Sequence, residues 1–368
     1  METEESAVQA EVSNKIKCNG CGANLTFAPG TSTLDCQYCG AKNKIEAEHT
    51  LVEEIDFEKF LNENHPEESL HEVNLVNCQN CGASTTLKPD VTSDACPFCA
   101  TPLIVKNATS TKLIKPKYLL SFKIERKTAS TSYINWLGKL WFAPNDLKQH
   151  AQETTDKLVG VYLPFWTYDS DTSTDYTGER GTYYYITETY TDSKGNNQSR
   201  QVQRIAWTPA SGNVTNGFDD VLVCASPSLP EKLSIALEPW DLKDLDGFDE
   251  RFLSGFKTES YRIDLRTGFE KAKVYMRGTI ENTVRKDIGG DQQRISSLNT
   301  TYTQITFKHI LLPVWISTYR YNNKLYHFMI NARSGEVQGE RPYSAIKIAL
   351  AVIAGLAVIG AIWFFATK

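Results

Sequence analysis

Apolar side chains recur at every fourth position over residues 272–288, with charged side chains between them, and this spacing predicts an amphipathic helix. The apolar face of this helix consists of Ala272, Met276, Ile280, Val284 and Ile288. Weaker helical patterns cover Tyr133–Leu140 and Asn145–Lys157. We therefore expect three helices in this part of the chain.

Polar and apolar side chains alternate over Thr182–Tyr190 and Ser199–Trp207, and the polar, glycine-containing segment Ser193–Gln198 lies between them. This pattern predicts a β-hairpin. A second hairpin is expected from Tyr326–Ile330 and Glu336–Gln338. Together with the helices, these strands indicate an α+β domain whose strands are mainly antiparallel.

The segment Ile348–Ala366 contains 19 residues without a charged or strongly polar side chain. As a helix it would be about 28 Å long, close to the thickness of a bilayer core. Lys347 precedes the segment, and Trp363–Phe365 would lie at the far interface. The alternative is a buried core helix, but such helices rarely lack a polar face over this length.

We therefore expect a tail-anchored, single-pass protein of the cell membrane, since only Thr367 and Lys368 follow the span. Arg341 and Lys347 before the span favour a cytoplasmic location for the N-terminal bulk. The whole chain of 368 residues has a mean hydropathy of −0.37 and is 41% hydrophobic, which excludes a multi-span membrane protein and a largely disordered chain.

Eight of the nine cysteines form an internal repeat with an offset of 60 residues. Each copy has two Cys-x-x-Cys pairs that are separated by fourteen residues. The candidate metal ligands are Cys18, Cys21, Cys36 and Cys39 in the first copy and Cys78, Cys81, Cys96 and Cys99 in the second. Two such pairs supply the four thiolates that a tetrahedral structural zinc prefers, so we expect two structural Zn²⁺ ions and zinc ribbons.

The alternatives for these cysteines are a redox dithiol and disulfide bonds. A redox pair is typical of a βαβ context, which is absent here, and disulfides conflict with a cytoplasmic domain. Gly22, Gly40 and Gly82 follow three of the pairs, where a positive φ turns backbone N–H groups toward sulfur, whereas Ala100 follows the fourth. For the ninth cysteine, Cys224, a small buried apolar side chain is favoured over a reactive thiol.

The charge of the N-terminal part argues against nucleic acid as its ligand. Residues 1–109 contain seven lysines, no arginine and seventeen acidic residues, a formal charge of −10, whereas the rest of the chain carries +5. A nucleic-acid module needs a basic face. A protein partner is therefore favoured, and the ribbons could also dock on the rest of the chain.

Ten of these acidic residues lie in residues 46–72 against the single Lys59, which predicts a solvated acidic linker with a short helix around Ile55–Leu61. The predicted division is thus a first zinc ribbon over 1–45, the acidic linker over 46–72 and a second ribbon over 73–106. An aromatic-rich α+β domain follows over 107–345, and a transmembrane helix over 346–366.

Motifs for catalysis are not found in the sequence: it has no phosphate-binding loop, no nucleophile elbow, no dinucleotide fingerprint and no His-Glu-x-x-His pair. A group of carboxylates follows Trp166, namely Asp169, Asp171, Asp175 and Glu179. It could act in acid–base chemistry or bind a cation, but a solvated, turn-rich loop is the favoured interpretation. Tyr183–Tyr185 is interpreted as one half-buried strand. We expect no enzymatic activity.

Several segments of the sequence carry a resemblance to a known family. Besides the first ribbon they are Tyr162–Asp169, Tyr176–Gly181, Leu311–Trp315 and Ser334–Pro342, followed by the last apolar segment. They resemble the bacterial zinc-ribbon, tail-anchored membrane proteins, which are described as TFIIB-type zinc-ribbon proteins or, misleadingly, as primosomal protein N′ or replication-factor-like proteins. Two of the segments contain the related motifs Leu163–Trp166 and Leu312–Trp315, which suggest a duplicated β-unit.

The resemblance implies a function at the membrane. Family members are associated with SPFH-domain proteins and phage-shock-type membrane-stress proteins, which implies that this chain recruits such partners to the membrane. The predicted function is therefore a non-enzymatic, membrane-anchored zinc-ribbon adaptor that scaffolds protein partners at the cytoplasmic membrane face. The alternative is a nucleic-acid-binding or replication-associated zinc-ribbon protein.

Overall fold

The structure is a computed structural model that describes residues 17–45, 52–62, 70–86, 93–99, 101–104, 108–149, 155–191, 193, 195–322 and 324–366. The described helices are α1 (Phe57–Asn62), α2 (Arg126–Lys139), α3 (Asn145–Gln149), α4 (Glu231–Ala236), α5 (Leu265–Ile288) and α6 (Ala345–Ala366). The described strands are β1 (Thr26–Phe27), β2 (Thr33–Asp35), β3 (Lys42–Lys44), β4 (Ile55–Asp56), β5 (Leu70–Asn77), β6 (Ser84–Thr86), β7 (Ser93–Ala95), β8 (Pro102–Ile104), β9 (Ala108–Ile114), β10 (Tyr118–Leu119), β11 (Val159–Thr191), β12 (Asn197–Cys224), β13 (Asp246–Gly247), β14 (Lys257–Thr258), β15 (Gln292–Tyr321), β16 (Lys324–Asn331) and β17 (Val337–Gly339). Mixed α+β content with mainly antiparallel sheets is thus confirmed.

One large sheet organises the body of the protein, and three of its strands are unusually long. Its main order is β12-β11-β15-β10-β13, and β4 and β16 also pair with β15. The two Leu-Pro-x-Trp motifs lie side by side in β11 and β15, with Leu163 directly opposite Leu312. Each motif strand also pairs with the strand that follows it, β11 with β12 and β15 with β16. Each motif is thus followed by an antiparallel pairing with the next of these strands.

Helix α5 covers one face of the long strands. Asp264 caps its N-terminus, since its Oδ1 accepts a hydrogen bond from the N–H of Thr267 at 2.9 Å. The five apolar positions that predicted this helix are all buried against β11, β12 and β15. Over Asp171–Gly178 of β11, exposed residues alternate with buried residues on the side of α5, as the two-residue period of a strand requires.

The first ribbon is a three-stranded sheet, β1-β2-β3, that docks on the body through apolar contacts and backbone hydrogen bonds. The N–H of Phe27 donates to the carbonyl of Ser254 at 3.0 Å, and the N–H of Gly30 donates to that of Phe122 at 2.9 Å. The ring of Phe27 lies 5.2 Å from that of Phe252. This ribbon and the body therefore share one buried cluster.

The second ribbon is docked as well, on a different part of the body. Its sheets are β6-β5-β9 and β7-β8. Thr85 bridges to Glu259, and Phe98 is fully buried in a cluster that includes Leu163 of the central sheet. Lys257 Nζ also pairs with the carboxylate of Asp94 at 2.9 Å. Since β5 begins at Leu70 and pairs with β9 as far as Ile114, this unit extends beyond the predicted 73–106.

The prediction of a solvated linker is wrong for residues 52–62. There β4 pairs with β15, and α1 buries Phe57 and Phe60 against the body, with the ring of Phe60 5.1 Å from that of Phe307. Two carboxylates of this segment pair with lysines of the body, Glu53 with Lys117 and Glu54 with Lys308. Apolar residues at close spacing outweigh the acidic composition, and the predicted short helix is present.

Two other predictions on β11 need correction. Asp169–Glu179 is a continuous strand and not a turn-rich loop, because β12 and β15 pair with it on both sides. The predicted hairpin is confirmed, with Thr182 opposite Ala206, but Tyr183–Tyr185 are exposed rather than half-buried. The predicted helix over Tyr133–Leu140 is α2, that over Asn145–Lys157 is α3 over its described part, and the second hairpin is β16–β17.

Helix α6 is apolar after Lys347, and none of its residues is fully buried within the chain. Its 22 residues have a hydropathy of 2.6 and are long and apolar enough, by length and composition, to cross a membrane. It is the one such helix in the described part of the chain.

Candidate metal centres

The first candidate centre brings together the four cysteines of the first ribbon. Cys18 Sγ lies 3.4 Å from Cys39 Sγ, and Cys21 Sγ lies 3.5 Å from Cys36 Sγ. All four sulfurs lie within 4.8 Å of one another. Tetrahedral coordination at about 2.3 Å separates sulfurs by about 3.8 Å, so the group has the size of a four-thiolate metal site.

The second centre has the same dimensions. Cys78 Sγ lies 3.4 Å from Cys99 Sγ, and Cys81 Sγ lies 3.5 Å from Cys96 Sγ. The predicted repeat therefore produces two equivalent groups, and each of the eight predicted ligands belongs to one of them.

The turns that carry the cysteines depend on glycine as predicted. Gly22, Gly40 and Gly82 have φ values of 71°, 73° and 75°, a region that favours glycine. The N–H of each donates to the carbonyl of the first cysteine in its pair, for example Gly22 to Cys18 at 2.8 Å. Ala100, the exception among the four pairs, lies outside the described residues.

Hydrogen bonds lower the pKa of one cysteine in each centre. The N–H groups of Cys39 and Tyr38 lower the pKa of Cys36 to about 6. In the second centre burial raises the pKa of Cys99, but hydrogen bonds from Thr101 and Asn80 outweigh it and bring the value to about 6. Each centre thus has one thiol that ionises readily, whereas neighbouring thiols raise the pKa of Cys39 to about 12 and burial raises that of Cys81 to about 12, so a bound metal would have to displace their protons.

The two centres differ in their access to solvent. Cys21 and Cys39 are exposed, so the first centre opens to solvent on one side. In the second centre Cys78, Cys96 and Cys99 are buried in the cluster shared with the body. The difference could not be read from the repeat, because it depends on where each ribbon docks.

The carboxylates after Trp166 do not form one site. Asp169 is buried, whereas Asp171 and Asp175, on the same face of β11, are exposed and Glu179 is partly exposed. Burial raises the pKa of Asp169 to about 6. This residue was predicted among candidates for cation binding, and the structure separates it from its three neighbours in sequence.

Asp169 instead belongs to a cluster around a buried lysine. Lys308 Nζ lies 2.8 Å from Asp220, 3.2 Å from Glu54 and 3.7 Å from Asp169, and its side chain is only 3% exposed. Glu54, Asp169 and Asp219 are also close enough together to hold a metal ion. Since the ammonium group already supplies a cation among these carboxylates, we interpret the cluster as structural.

Burial raises the pKa of two further side chains, Cys224 and Glu259. Burial raises the pKa of Cys224 to about 12, which agrees with an unreactive thiol. Glu259 is only 1% exposed and accepts hydrogen bonds from Ser226, at 2.7 Å, and from Ser228. No sequence motif marks Glu259, so only the structure identifies it.

A projecting hairpin forms the most exposed feature of the body. The last residue pair between β11 and β15 is Gly181 with Gln292, so from Thr182 to the tip only β11 and β12 pair. These ten residue steps extend about 33 Å. Tyr183, Tyr184, Tyr185, Ile186 and Tyr190 are exposed along it.

These features define a class: a protein with two four-cysteine candidate metal centres, an α+β body and one apolar C-terminal helix that could cross a membrane. Its sequence matches no family model and no solved structure. It is similar to the uncharacterized protein YdjG of Bacillus subtilis (strain 168), with 25% identity over 338 residues. This match covers 90% of the chain and 91% of the relative, so the similarity extends well beyond the ribbons.

Proposed function

We propose that this protein is a non-enzymatic, membrane-anchored zinc-ribbon adaptor that scaffolds protein partners at the cytoplasmic face of the cell membrane. The observation that carries the proposal is the projecting hairpin, on a chain that ends in an apolar helix. An isolated two-stranded hairpin is marginally stable, and exposed apolar patches of this kind mark protein contacts. The tyrosines of the hairpin would therefore bind a partner while α6 holds the body at the bilayer.

Zinc is the metal that the two centres suit best. Four thiolates at tetrahedral spacing favour Zn²⁺ and leave no open position for a substrate, so the ions would be structural. When bound, zinc would crosslink the two turns of each ribbon. The eight cysteines would hold it, and the backbone N–H groups around them would stabilise the thiolates.

The family resemblance extends the proposal to partners. By that resemblance they are SPFH-domain or phage-shock-type proteins, and the role is in the membrane-stress response. Residues 1–109, the ribbons together with the acidic segment between them, carry a formal charge of −10, which supports protein partners over nucleic acid. A salt-dependent affinity of the protein for DNA would instead favour the nucleic-acid alternative.

The anchor is tested by extracting membranes with alkaline carbonate. We expect the full chain to stay in the pellet and a chain that ends at Ser344 to be released. If both chains are released alike, α6 does not span the membrane.

The metal is tested by elemental analysis of the purified protein. We expect about two zinc ions per chain, and loss of one of them when Cys78 and Cys81 are both replaced by serine. Cys224→Ala is the matched control and should leave the zinc content unchanged.

The adaptor role is tested by affinity purification from detergent-solubilised membranes. We expect the wild-type chain to retain a defined protein partner, and a chain with Tyr183, Tyr184 and Tyr185 replaced by serine to lose it. Replacement of the exposed Thr187 and Thr189 by serine is a control in the same hairpin. Equal recovery of partners by the tyrosine variant would contradict the proposed role of the hairpin.

A further inference from the structure

The body of the protein holds the first turns of α6 through one short loop. This loop, residues 140–145 between α2 and α3, accepts a hydrogen bond from the N–H of Ser344 at the carbonyl of Phe142, at 2.8 Å. Lys347 Nζ donates to the carbonyl of Ala143 at 2.8 Å and to Asn145 Oδ1 at 2.7 Å. The loop is therefore fixed to the start of the helix.

The depth of this contact follows from the length of α6. A bilayer core of about 30 Å requires about 20 helical residues, so nearly all of the 19 apolar residues Ile348–Ala366 must lie within it. Val352 lies about 10 Å along the helix axis from Ala345. An open apolar crevice of about 430 Å³ is lined by Phe142 and Tyr343 on one side and by Ile348, Ala351 and Val352 of the helix on the other. Phe142 thus lies beside helix residues that the hydrocarbon would surround.

The side chains around the crevice suit the bilayer interface. Trp141 is 80% exposed, and Phe142, Tyr343 and Ile346 are also exposed. Tryptophan and tyrosine are enriched where lipid headgroups meet hydrocarbon. Within residues 139–147 and 341–347, the basic side chains are Lys139, Arg341 and Lys347. The one acidic side chain there, Asp146, accepts hydrogen bonds from Tyr321.

We propose that residues 140–145, together with Tyr343, form a second membrane contact, in which Trp141 and Phe142 insert into the headgroup–acyl boundary of the cytoplasmic leaflet. The basic side chains face the lipid phosphates, and acyl chains fill the crevice beside α6. This contact fixes the orientation of the body on the bilayer, which a single helix would not do. The inference rests on the proposed membrane anchor.

The test is fluorescence quenching of the full chain in vesicles of phosphatidylcholine and phosphatidylglycerol whose acyl chains are brominated near the headgroup. We compare the wild type with Trp141→Phe, Trp363→Phe and the double variant. The expected result is that Trp141→Phe removes about half of the quenched signal and the double variant nearly all of it, since these two tryptophans lie at the two interfaces. Trp207→Phe, at the base of the distant hairpin, is the matched control and should leave the quenched signal unchanged.

The outcomes separate the two proposals. If the vesicles fail to quench any tryptophan and the protein does not float with them, the anchor itself is wrong. If Trp363 is quenched but Trp141→Phe changes nothing, the anchor stands and the second contact is overturned. That same result is expected if a second copy or another protein covers the loop instead of lipid. Because Trp141 is so exposed, the variant should fold normally.

Discussion

Among single residues, Glu259 shows most clearly how burial sets the properties of a side chain. It lies where the second ribbon meets the body, and burial raises its pKa from the ordinary 4.5 to about 7. The folded state therefore binds a proton more tightly than the unfolded chain, so this residue lowers stability as the pH rises from about 4.5 through about 7.

We predict that Glu259→Gln raises the free energy of unfolding by about 3 kcal/mol at about pH 8 and by less than about 1 kcal/mol at about pH 5. Glutamine keeps an acceptor for Ser226 and Ser228 without a charge. Urea unfolding at both pH values measures the difference, and Glu58→Gln on the exposed side of α1 is the control. A gain that is equal at the two pH values would show that the charge of Glu259 is not the cause.

Metal ligands can be predicted from sequence more easily than buried charged residues, as the eight cysteines and Glu259 show. The eight cysteines were predicted as two ligand groups because metal binding imposes a local spacing that repeats. Glu259 and Lys308 have no such local signal, because their burial depends on residues distant in the chain. The sequence grouped Asp169 with Asp171 and Asp175, but in the structure its carboxylate lies 3.7 Å from Lys308 Nζ.

At the scale of elements, α1 shows how a strongly charged segment can still be part of a core. Phe57 and Phe60 are spaced by three residues, so they lie on one face of the helix and contact β11, β15 and α5. Glu58, between them, faces solvent, and the preceding Glu53 and Glu54 pair with lysines. The charge count masked this pattern because the apolar side chains are few.

We predict that Phe60→Ala lowers the free energy of unfolding by about 3–5 kcal/mol, the cost of removing a buried aromatic ring. Lys59 directly precedes Phe60 but is exposed, so Lys59→Ala should change the free energy of unfolding by less than about 0.5 kcal/mol. Urea unfolding of both variants measures the difference. A solvated linker would instead give two equally small effects.

The long hairpin is the element whose existence was predictable and whose length was not. Alternation between 182 and 207 is strong, but the stretch before it contains Asp169, Asp171, Asp175 and Gly178, and aspartate and glycine are depleted in strands. Pairing with β12 and β15 on both sides overrides that propensity and makes one continuous strand of 33 residues.

We predict that replacing residues 183–205 by an Asn-Gly turn between Thr182 and Ala206 changes the unfolding temperature by less than about 2 °C. The removed side chains are mostly exposed and lie beyond β15 and α5, so the core loses little. Thermal unfolding followed by circular dichroism checks this. A large fall in the unfolding temperature would mean that the hairpin stabilises the body rather than presenting a surface.

At the scale of the whole molecule, the ribbons are part of the body and not separate modules on a tether. Each contributes apolar residues to a cluster that also contains residues of the central sheet or of the segments packed on it. The sequence favoured ribbons on a tether because the segment between them is strongly acidic, whereas the docking residues, Phe27 and Phe98 among them, are isolated apolar positions. Loss of metal from the ribbons should therefore lower the stability of the body.

This coupling can be observed directly because all seven tryptophans lie outside the ribbons, at positions 136, 141, 166, 207, 240, 315 and 363. In detergent-solubilised full chain, we predict that removing the metal with a chelator lowers the unfolding temperature seen by tryptophan fluorescence by at least about 4 °C, and that re-addition of Zn²⁺ restores it. Because the docking is mainly apolar, about 1 M NaCl should leave the shift in place. Cys96→Ser removes one ligand of the buried second centre and should therefore reproduce part of the shift in unfolding temperature, whereas Cys224→Ala should not. If the fluorescence transition does not respond to the metal, the ribbons fold independently of the body.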